Sequence, residues 1–433
     1  MVAFQTVFLG LVFGFVPVRV AVNPPVVSVE LLIDGVSAGT IQGEPWEIGC
    51  NFGPAPFPHE LVAVGRDATG NEVSRAHQLV NLPRAATVAT ITVRPGAAGQ
   101  PSTACLTWSS LDKAKAKHIE VTFDGRPVPV ENPDHIELPP VDLAKPHFLA
   151  AEVVFPKGGV ARAETSFGGE AQARAESELT AYPVVVRPGF DLPPAEAMQG
   201  WFRKAGQPLQ VVAVEEGHFD VVLVFDQDSA GRFQGISRGN INSAVLLNEI
   251  AIQPSRGGNR LSALWAIPRD GVFTASLPLD LDVDEVRKFI FRVGWPAAPR
   301  NKQALANAVA AAGMQAAALG RRRAVVLMVG EAAPDASTIS PQAARAYLES
   351  LNVPLFIWTP ERRISDLDLP GWGLPDNVST DQQLQAAMGR LDKALRAQRI
   401  VWLAGSHLPS AITIAPAVRH IFPARGVVRQ ERH

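Results

Sequence analysis

The sequence predicts a multidomain chain: two small all-β sandwiches followed by an α/β domain with a doubly wound, mostly parallel sheet. Three observations predict it. The first half contains an internal repeat, since Val29 to Gly35 (VELLIDG) recurs as Ile119 to Gly125 (IEVTFDG). Within each copy, β-branched runs alternate with turn dipeptides such as Asp34-Gly35, Gly70-Asn71, Asp124-Gly125 and Gly158-Gly159. Beyond Pro208 the pattern changes to strands alternating with helices, which specifies an open parallel sheet. The 433 residues, 47% hydrophobic and 19% charged, supply apolar material for several cores. Forty basic against 42 acidic residues leave a net charge of -2, which gives no global field for nucleic acid or an anionic membrane.

Residues 1–22 open with an apolar run through Val7, Phe8, Leu9, Leu11, Val12 and Phe13. It has two readings, a signal-peptide core or an apolar first strand, and no Lys or Arg precedes Arg19 to supply the basic flank of a signal. No other stretch approaches the apolar length of a membrane-spanning helix, so no integral membrane segment is expected in the body of the chain. Residues 23–84 and 85–170 form the two repeats. Further anchors keep their order: Pro58-His59 with Leu61 returns as Pro146-His147 with Leu149, and Val73 to Ala76 returns as Val160 to Ala163. His59 and His147 occupy equivalent strand starts and read as structural caps; Trp46 and Trp108 read as core anchors. Cys50 shares a strand face with Trp46 and Ile48, so it is expected to be a reduced core residue, with Cys105 in the other sandwich. The run Val29 to Thr40, Pro45-Trp46, His59 to Val64 and Asp67 to Asn71 resembles the bacterial immunoglobulin-like domains found in tandem on envelope proteins. The second copy lacks the D-x-x-G-N turn.

Residues 171–207 are polar, then proline-punctuated, and read as a linker with a strand at Pro183 to Val186 and a short helix at Ala195 to Lys204. Residues 208–408 are the α/β domain. Val221 to Phe225 is a continuous apolar strand, as required when helices cover both faces. Ile241 to Ile252 is helical; Leu261 to Ile267 and Val272 to Leu279 form an antiparallel edge hairpin; Val283 to Arg292 and Gln303 to Leu319 are helices. Gly320 supplies the second helix's C-cap, and Arg321 to Arg323 suit its dipole as a solvated helix end. Ala324 to Val329 is a buried strand, Ser340-Pro341 opens a helix to Leu351, and Val353 to Trp358 is a strand. The Thr380-x-x-Gln383 capping box opens a helix with Leu384, Met388, Leu391 and Leu395 on one face, before a last strand at Ile400 to Leu403. Residues 409–433 read as a tail.

That order resembles a von Willebrand factor type A (VWA) domain, and the whole chain resembles bacterial VWA-related envelope proteins. The resemblance implies a divalent-cation site at the carboxyl ends of the strands: D-x-S-x-S after the first strand, a threonine from a later loop and an aspartate after the next buried strand. This sequence departs from it. After Phe225 stand Asp226, Asp228, Ser229 and Ala230; Gln303 occupies the threonine position; Gly330-Glu331 ends the strand where the aspartate belongs. The expected site is degenerate, without a cofactor, and Asp226, Asp228, Ser229, Gln303 and Glu331 form a binding rim. The minority reading keeps a Mg²⁺ on Asp226 and Asp228, helped by Glu331 or Asp335. Trp372, in Pro370 to Gly373, joins the rim as a contact residue if it is exposed.

The function expected is a non-enzymatic binding or scaffolding protein of the cell envelope, outside the cytoplasm, with an unknown protein partner. The alternative is a hydrolase using Asp226 to Ser237, metal-dependent or serine-dependent. Gly235 to Gly239 matches G-x-S-x-G, and Ser237, Asp335 and His407 stand in triad order, but the motif begins ten residues past the strand end at Phe225, outside the context of a nucleophile elbow.

Overall fold

The computed structural model describes residues 1–8, 10–82, 87–94, 96, 102–110, 115–140, 142–155, 160–168, 179–226, 259–269, 272–275, 303–330, 335–361 and 369–425. The first sandwich contains β1 (Val2–Phe4), β2 (Phe15–Val22), β3 (Ser28–Ile33), β4 (Val36–Ile41), β5 (Glu47–Asn51), β6 (His59–Arg66) and β7 (Glu72–Val80). Its sheets run β1-β2-β5 and β4-β3-β6-β7. Inward positions of both sheets, among them Val18, Val20, Leu31, Cys50, Leu61 and Ala63, close one core. The apolar N-terminal run lies between β1 and β2 rather than in a strand: Val12 is buried and Phe8 half-buried against this core, and the strand that follows, β2, buries Val18 and Val20 and pairs with β5. Cys50 is a buried free thiol, and its burial pushes the thiol up to about 11. Trp46 is half-buried against the same core.

The second sandwich repeats the plan with β8 (Thr87–Arg94), β9 (Thr103–Ser110), β10 (His118–Phe123), β11 (Arg126–Val128), β12 (Ile136–Glu137), β13 (His147–Val154) and β14 (Val160–Phe167). Its sheets run β12-β9-β8 and β11-β10-β13-β14. The repeat holds in atomic detail. Asp34 and Asp124 stand at φ 51° and 47°, each followed by a glycine at φ 80° or 74°, the two positive-φ positions of a type I′ hairpin. His59 Nδ1 lies 2.7 Å from Asp34 Oδ2, and His147 Nδ1 lies 2.8 Å from Asp124 Oδ2. Each aspartate also accepts the amide of the residue after its histidine, Glu60 or Phe148, at 2.8 Å. Both histidines thus cap hairpins, as their repeat positions implied. The D-x-x-G-N turn of the first copy is closed by Asp67, whose carboxylate accepts Thr69 and Asn71 amides at 2.9 and 3.0 Å.

The segment read as a linker is instead half of a third β unit. β15 (Leu179–Val186), β16 (Phe202–Lys204), β17 (Gln207–Pro208) and β18 (Val211–Glu215) precede the α/β domain. The alternation Tyr182, Val184, Val186 is buried, as a half-buried strand requires. Pro183 sits where a partner strand ends: its carbonyl accepts the amide of Ala424, and no donor is needed beyond.

The α/β domain is inserted after β18. It contains β19 (Phe219–Phe225), β20 (Arg260–Arg269), β21 (Val272–Ala275), α1 (Leu305–Ala317), β22 (Arg322–Met328), α2 (Pro341–Ser350), β23 (Leu355–Thr359), β24 (Asp376–Asn377) and α3 (Asp381–Arg396). The sheet order is β21-β20-β19-β22-β23-β24, all parallel except the antiparallel edge β21. Alternate residues serve opposite faces: Val222, Val224, Val325 and Leu327 meet α1 and α2, whereas Val221, Leu223, Val326 and Met328 meet α3 through Leu384, Met388, Leu391 and Leu395. Ser340 caps α2 by accepting the Ala343 amide, and Thr380 caps α3 by accepting that of Gln383. The helices expected at Ile241 to Ile252 and Val283 to Arg292 lie outside the described residues.

The strand expected to end this sheet goes elsewhere. β25 (Gln398–Ala404) pairs antiparallel with β15 and β18, and with β26 (Ile412–Ile414) and β27 (Ile421–Pro423) it completes the third β unit, in sheets β18-β25-β15-β27 and β17-β16-β26. The cause is geometric: α3 ends beside the amino ends of the parallel strands, where Gln398 accepts the Arg323 amide and donates to its carbonyl, both at 2.9 Å. The chain leaves the sheet there, and β24 takes the edge. Residues 409–425 are accordingly part of a core containing Ile412 and Ile421.

Candidate functional site: the strand-end rim and a buried charge cluster

The carboxyl ends of β19, β22 and β23 define the rim. Asp226 is 3% exposed; its amide donates to Met328 O at 3.1 Å, and its Oδ2 accepts the Gly330 amide at 2.7 Å. It ties the loop after β19 to the loop after β22. Gln303 is buried, and its carbonyl accepts the Ala336 amide at 2.6 Å. Asp335 caps α1 from a distant loop: Oδ1 accepts Leu305 N at 2.9 Å and Oδ2 accepts Ala306 N at 3.1 Å, with Ser337 adding Asn307 N at 3.1 Å. A carboxylate facing these amides also complements the positive end of the helix dipole. Asp228, Ser229, Glu331 and Ser237 lie outside the described residues. Among the described residues no group of three His, Cys, Asp or Glu side chains is placed to hold a metal.

Trp372 does not join the rim. It is 5% exposed and packs with Ile339, Tyr347 and Leu369 beneath the turn that closes with Trp372 N donating to Leu369 O. The Pro-Gly-Trp-Gly turn folds the indole inward, which removes the exposure its contact role required. The triad order also fails in space. Asp335 lies past the carboxyl end of β22, whereas His407 lines a cleft shared with Gly320 and Arg323 at its amino end. The length of that strand, about 20 Å at roughly 3.3 Å per residue, separates them.

The arginine cluster is the main departure from the sequence reading. A solvated helix end was expected, yet Arg321 is 1% and Arg323 3% exposed. Arg323 donates to Ala317 O at 3.2 Å and Leu351 O at 3.1 Å, so one guanidinium closes the C-termini of α1 and α2. Burial lowers its pKa to about 10. Arg322 donates to Leu395 O at 3.3 Å, at the end of α3. Arg321 forks onto Glu152 of β13, joining the α/β domain to the second sandwich. Arg162 of β14 pairs with Glu152 at 3.0 Å, Glu164 at 2.5 Å and Glu215 of β18 at 2.6 Å, and lies 5.3 Å from the Trp402 ring centroid. Trp402 Nε1 donates to Glu215 at 2.6 Å. Burial pushes the Glu152 carboxyl up, but Arg321 and Arg162 outweigh it and hold the group down at about 2. Asp220 is less well served. Arg260 and Arg321 stand 3.6 and 3.8 Å from its Oδ1, and its Oδ2 has no hydrogen-bond partner.

Sequence reasoning missed this cluster. The one signal was that Arg162 repeats Arg75, which pairs with Glu72 on the surface of the first sandwich; only the packing of the later units buries the second copy.

No family model and no curated protein matches the chain. Among solved structures, the fibronectin(III)-like modules of Clostridium thermocellum CbhA align at 18% identity over 18% of this chain and 92% of theirs, with a TM-score of 0.17. Proximal thread matrix protein 1 from the mussel byssus aligns at 15% identity over 49% of this chain and 50% of its own, with a TM-score of 0.30. The central fibronectin-III array of RIM-binding protein aligns at 13% identity over 49% of this chain and 80% of its own, with a TM-score of 0.19. The chain thus spans about half of the mussel protein it is similar to, and likenesses at these scores carry no functional argument.

Proposed function

We propose that the chain is a non-enzymatic binding or scaffolding protein in which three β units carry a VWA-like α/β head with a degenerate cation site. Asp226 carries this reading. The residue standing where the resemblance puts the first metal ligand is buried, and one of its oxygens accepts the Gly330 amide that replaces the expected aspartate. A carboxylate that would face a cation closes two loops instead. The sheet order, five parallel strands with an antiparallel edge hairpin, supports the VWA-like arrangement. The resemblance to envelope proteins supports a location in the cell envelope, which fractionation of the native host tests. A partner protein at the rim is the contact this reading implies.

Thermal unfolding with and without Mg²⁺ or Mn²⁺ tests the head. The expected outcome is no metal-dependent shift, and a lower midpoint for Asp226→Ala in either condition. A cation at 100 times its Kd stabilises by about 2.7 kcal/mol. Such a gain, abolished by Asp226→Ala with Asp228→Ala, would restore the metal-mediated reading.

A further inference from the structure

All four units contribute to one cleft of about 260 Å³, lined among others by Leu79 of the first sandwich, Arg162 and Glu164 of the second, His407 of the third unit and Arg323 of the α/β domain. His407 Nε2 lies 2.8 Å from Ala404 O. A carbonyl only accepts, so Nε2 carries the proton of the neutral ring and Nδ1 is left as an acceptor. Nδ1 is buried without a hydrogen-bond partner. The loop is built to hold the ring there: His407 N donates to Thr180 Oγ1 at 2.9 Å, and Thr180 Oγ1 donates to Gly405 O at 2.6 Å. Gly405 stands at φ +92°, and a Cβ on it would meet the imidazole at 2.9 Å.

The charged groups around His407 come from several elements. Arg162 and Glu164 lie on β14, Arg323 on β22, Lys204 on β16 and Glu60 on β6. Glu164 is held by Arg162 at 2.5 Å, and the Arg323 guanidinium is occupied by helix carbonyls. A proton arriving on Nδ1 therefore creates a buried N–H without an acceptor, and adds a cation to a cleft that already holds two guanidinium groups.

We propose that His407 is an acid-sensitive wedge: its protonation loosens the junction at which the first sandwich seats against the other three units. The direction follows from its surroundings. Burial lowers the His407 pKa and Lys204 adds to this, against the Ala404 carbonyl and Glu60. The neutral ring thus favours the closed junction above about pH 6.5, and that contribution is lost as pH falls through the lowered value. Glu164 acts in the opposite sense, because burial raises its pKa and its proton uptake favours the closed form.

Hydrogen exchange on the intact chain tests the proposal, read at the amides of β7 and of residues 404–408 near pH 7.5 and about pH 5.5, each normalised to the intrinsic rate. In the wild type, protection falls at the lower pH by up to about tenfold, the limit set by an open-state imidazole titrating near 6.5. His407→Phe removes the response, and His407→Lys lowers protection at both pH values. If His407→Phe lacks a cooperative thermal transition, His407→Gln carries the same expectation. Unchanged wild-type protection, or a response that persists in the Phe or Gln variant, overturns the proposal, and persistence points to another titrating group.

Discussion

Glu152 and Asp220 face the same guanidinium, yet they stand on opposite sides of their ordinary range. Glu152 receives the fork of Arg321 and a second arginine, and its carboxyl is depressed to about 2. It therefore contributes stability that is complete above the unfolded value near 4.5 and is lost as pH falls toward 2. Asp220, buried with looser pairs at 3.6 and 3.8 Å, is raised, so its contribution falls as pH rises. Two substitutions follow. Arg321→Met leaves the buried Glu152 with Arg162 alone and is expected to destabilise by about 3–5 kcal/mol in urea unfolding at neutral pH, with partial recovery when Glu152→Leu is added. Asp220→Asn is expected to raise the midpoint at neutral pH and flatten its dependence between pH values bracketing the Asp220 titration; a lower midpoint would show that Asp220 is better paired than its open Oδ2 indicates.

Elements differ in how much of their setting is local, and that difference decided what the sequence revealed. The hairpins with Asp34 and Asp124, the caps Ser340 and Thr380, and the apolar stripe of α3 are written in residues a few positions apart, and the structure places them as the patterns implied. β15 was visible only as a short strand in a linker, because its partners β25 and β27 lie far along the chain and no local pattern encodes that pairing. Arg323 shows the same limit: the sequence assigns it to one helix end, while the fold brings a second to it. Replacing it with Met takes the guanidinium donor from Leu351 O and leaves Ala317 O with the Gly320 amide alone at 3.4 Å, at a cost of about 1–3 kcal/mol. α1 is tuned by size. It is rich in alanine and buried on most sides, and a Cβ at Gly313 would meet Leu348 Cδ1 at 2.5 Å. Gly313→Ala is expected to cost about 1–3 kcal/mol by overpacking α1 against α2, readable as a lower thermal midpoint.

At the scale of the whole chain, the α/β domain is an insertion in a β unit rather than the last bead on a string, and this changes which fragments fold. The N-terminal sandwich is also tied down. Leu11, Phe13 and Leu82 pack against the α1–α2 core, and Tyr347 donates to Asn81 O at 2.8 Å. The apolar run between β1 and β2 thus packs Phe8 and Val12 into the first sandwich's core on one side and offers Leu11 and Phe13 as a docking contact on the other. A fragment of residues 208–408 keeps the parallel sheet but strips β25 of β15, its partner over seven residues, and exposes Val401 and Leu403. A fragment of residues 179–425 keeps all of β15, β18, β25 and β27. It uncovers the face of β25 where Ile400 and Trp402 met Phe148 and Ala150, and the part of the α1–α2 core that Leu11, Phe13 and Leu82 covered. It also frees Arg321, which loses Glu152 but gains water and so carries little of the buried-charge penalty. The longer fragment is expected to unfold in one cooperative transition by circular dichroism, and the shorter one to aggregate or melt without one. Cooperative unfolding of the shorter fragment, at a midpoint matching the longer one, would show that β25 needs no β15 and that the third unit is not the platform of the head.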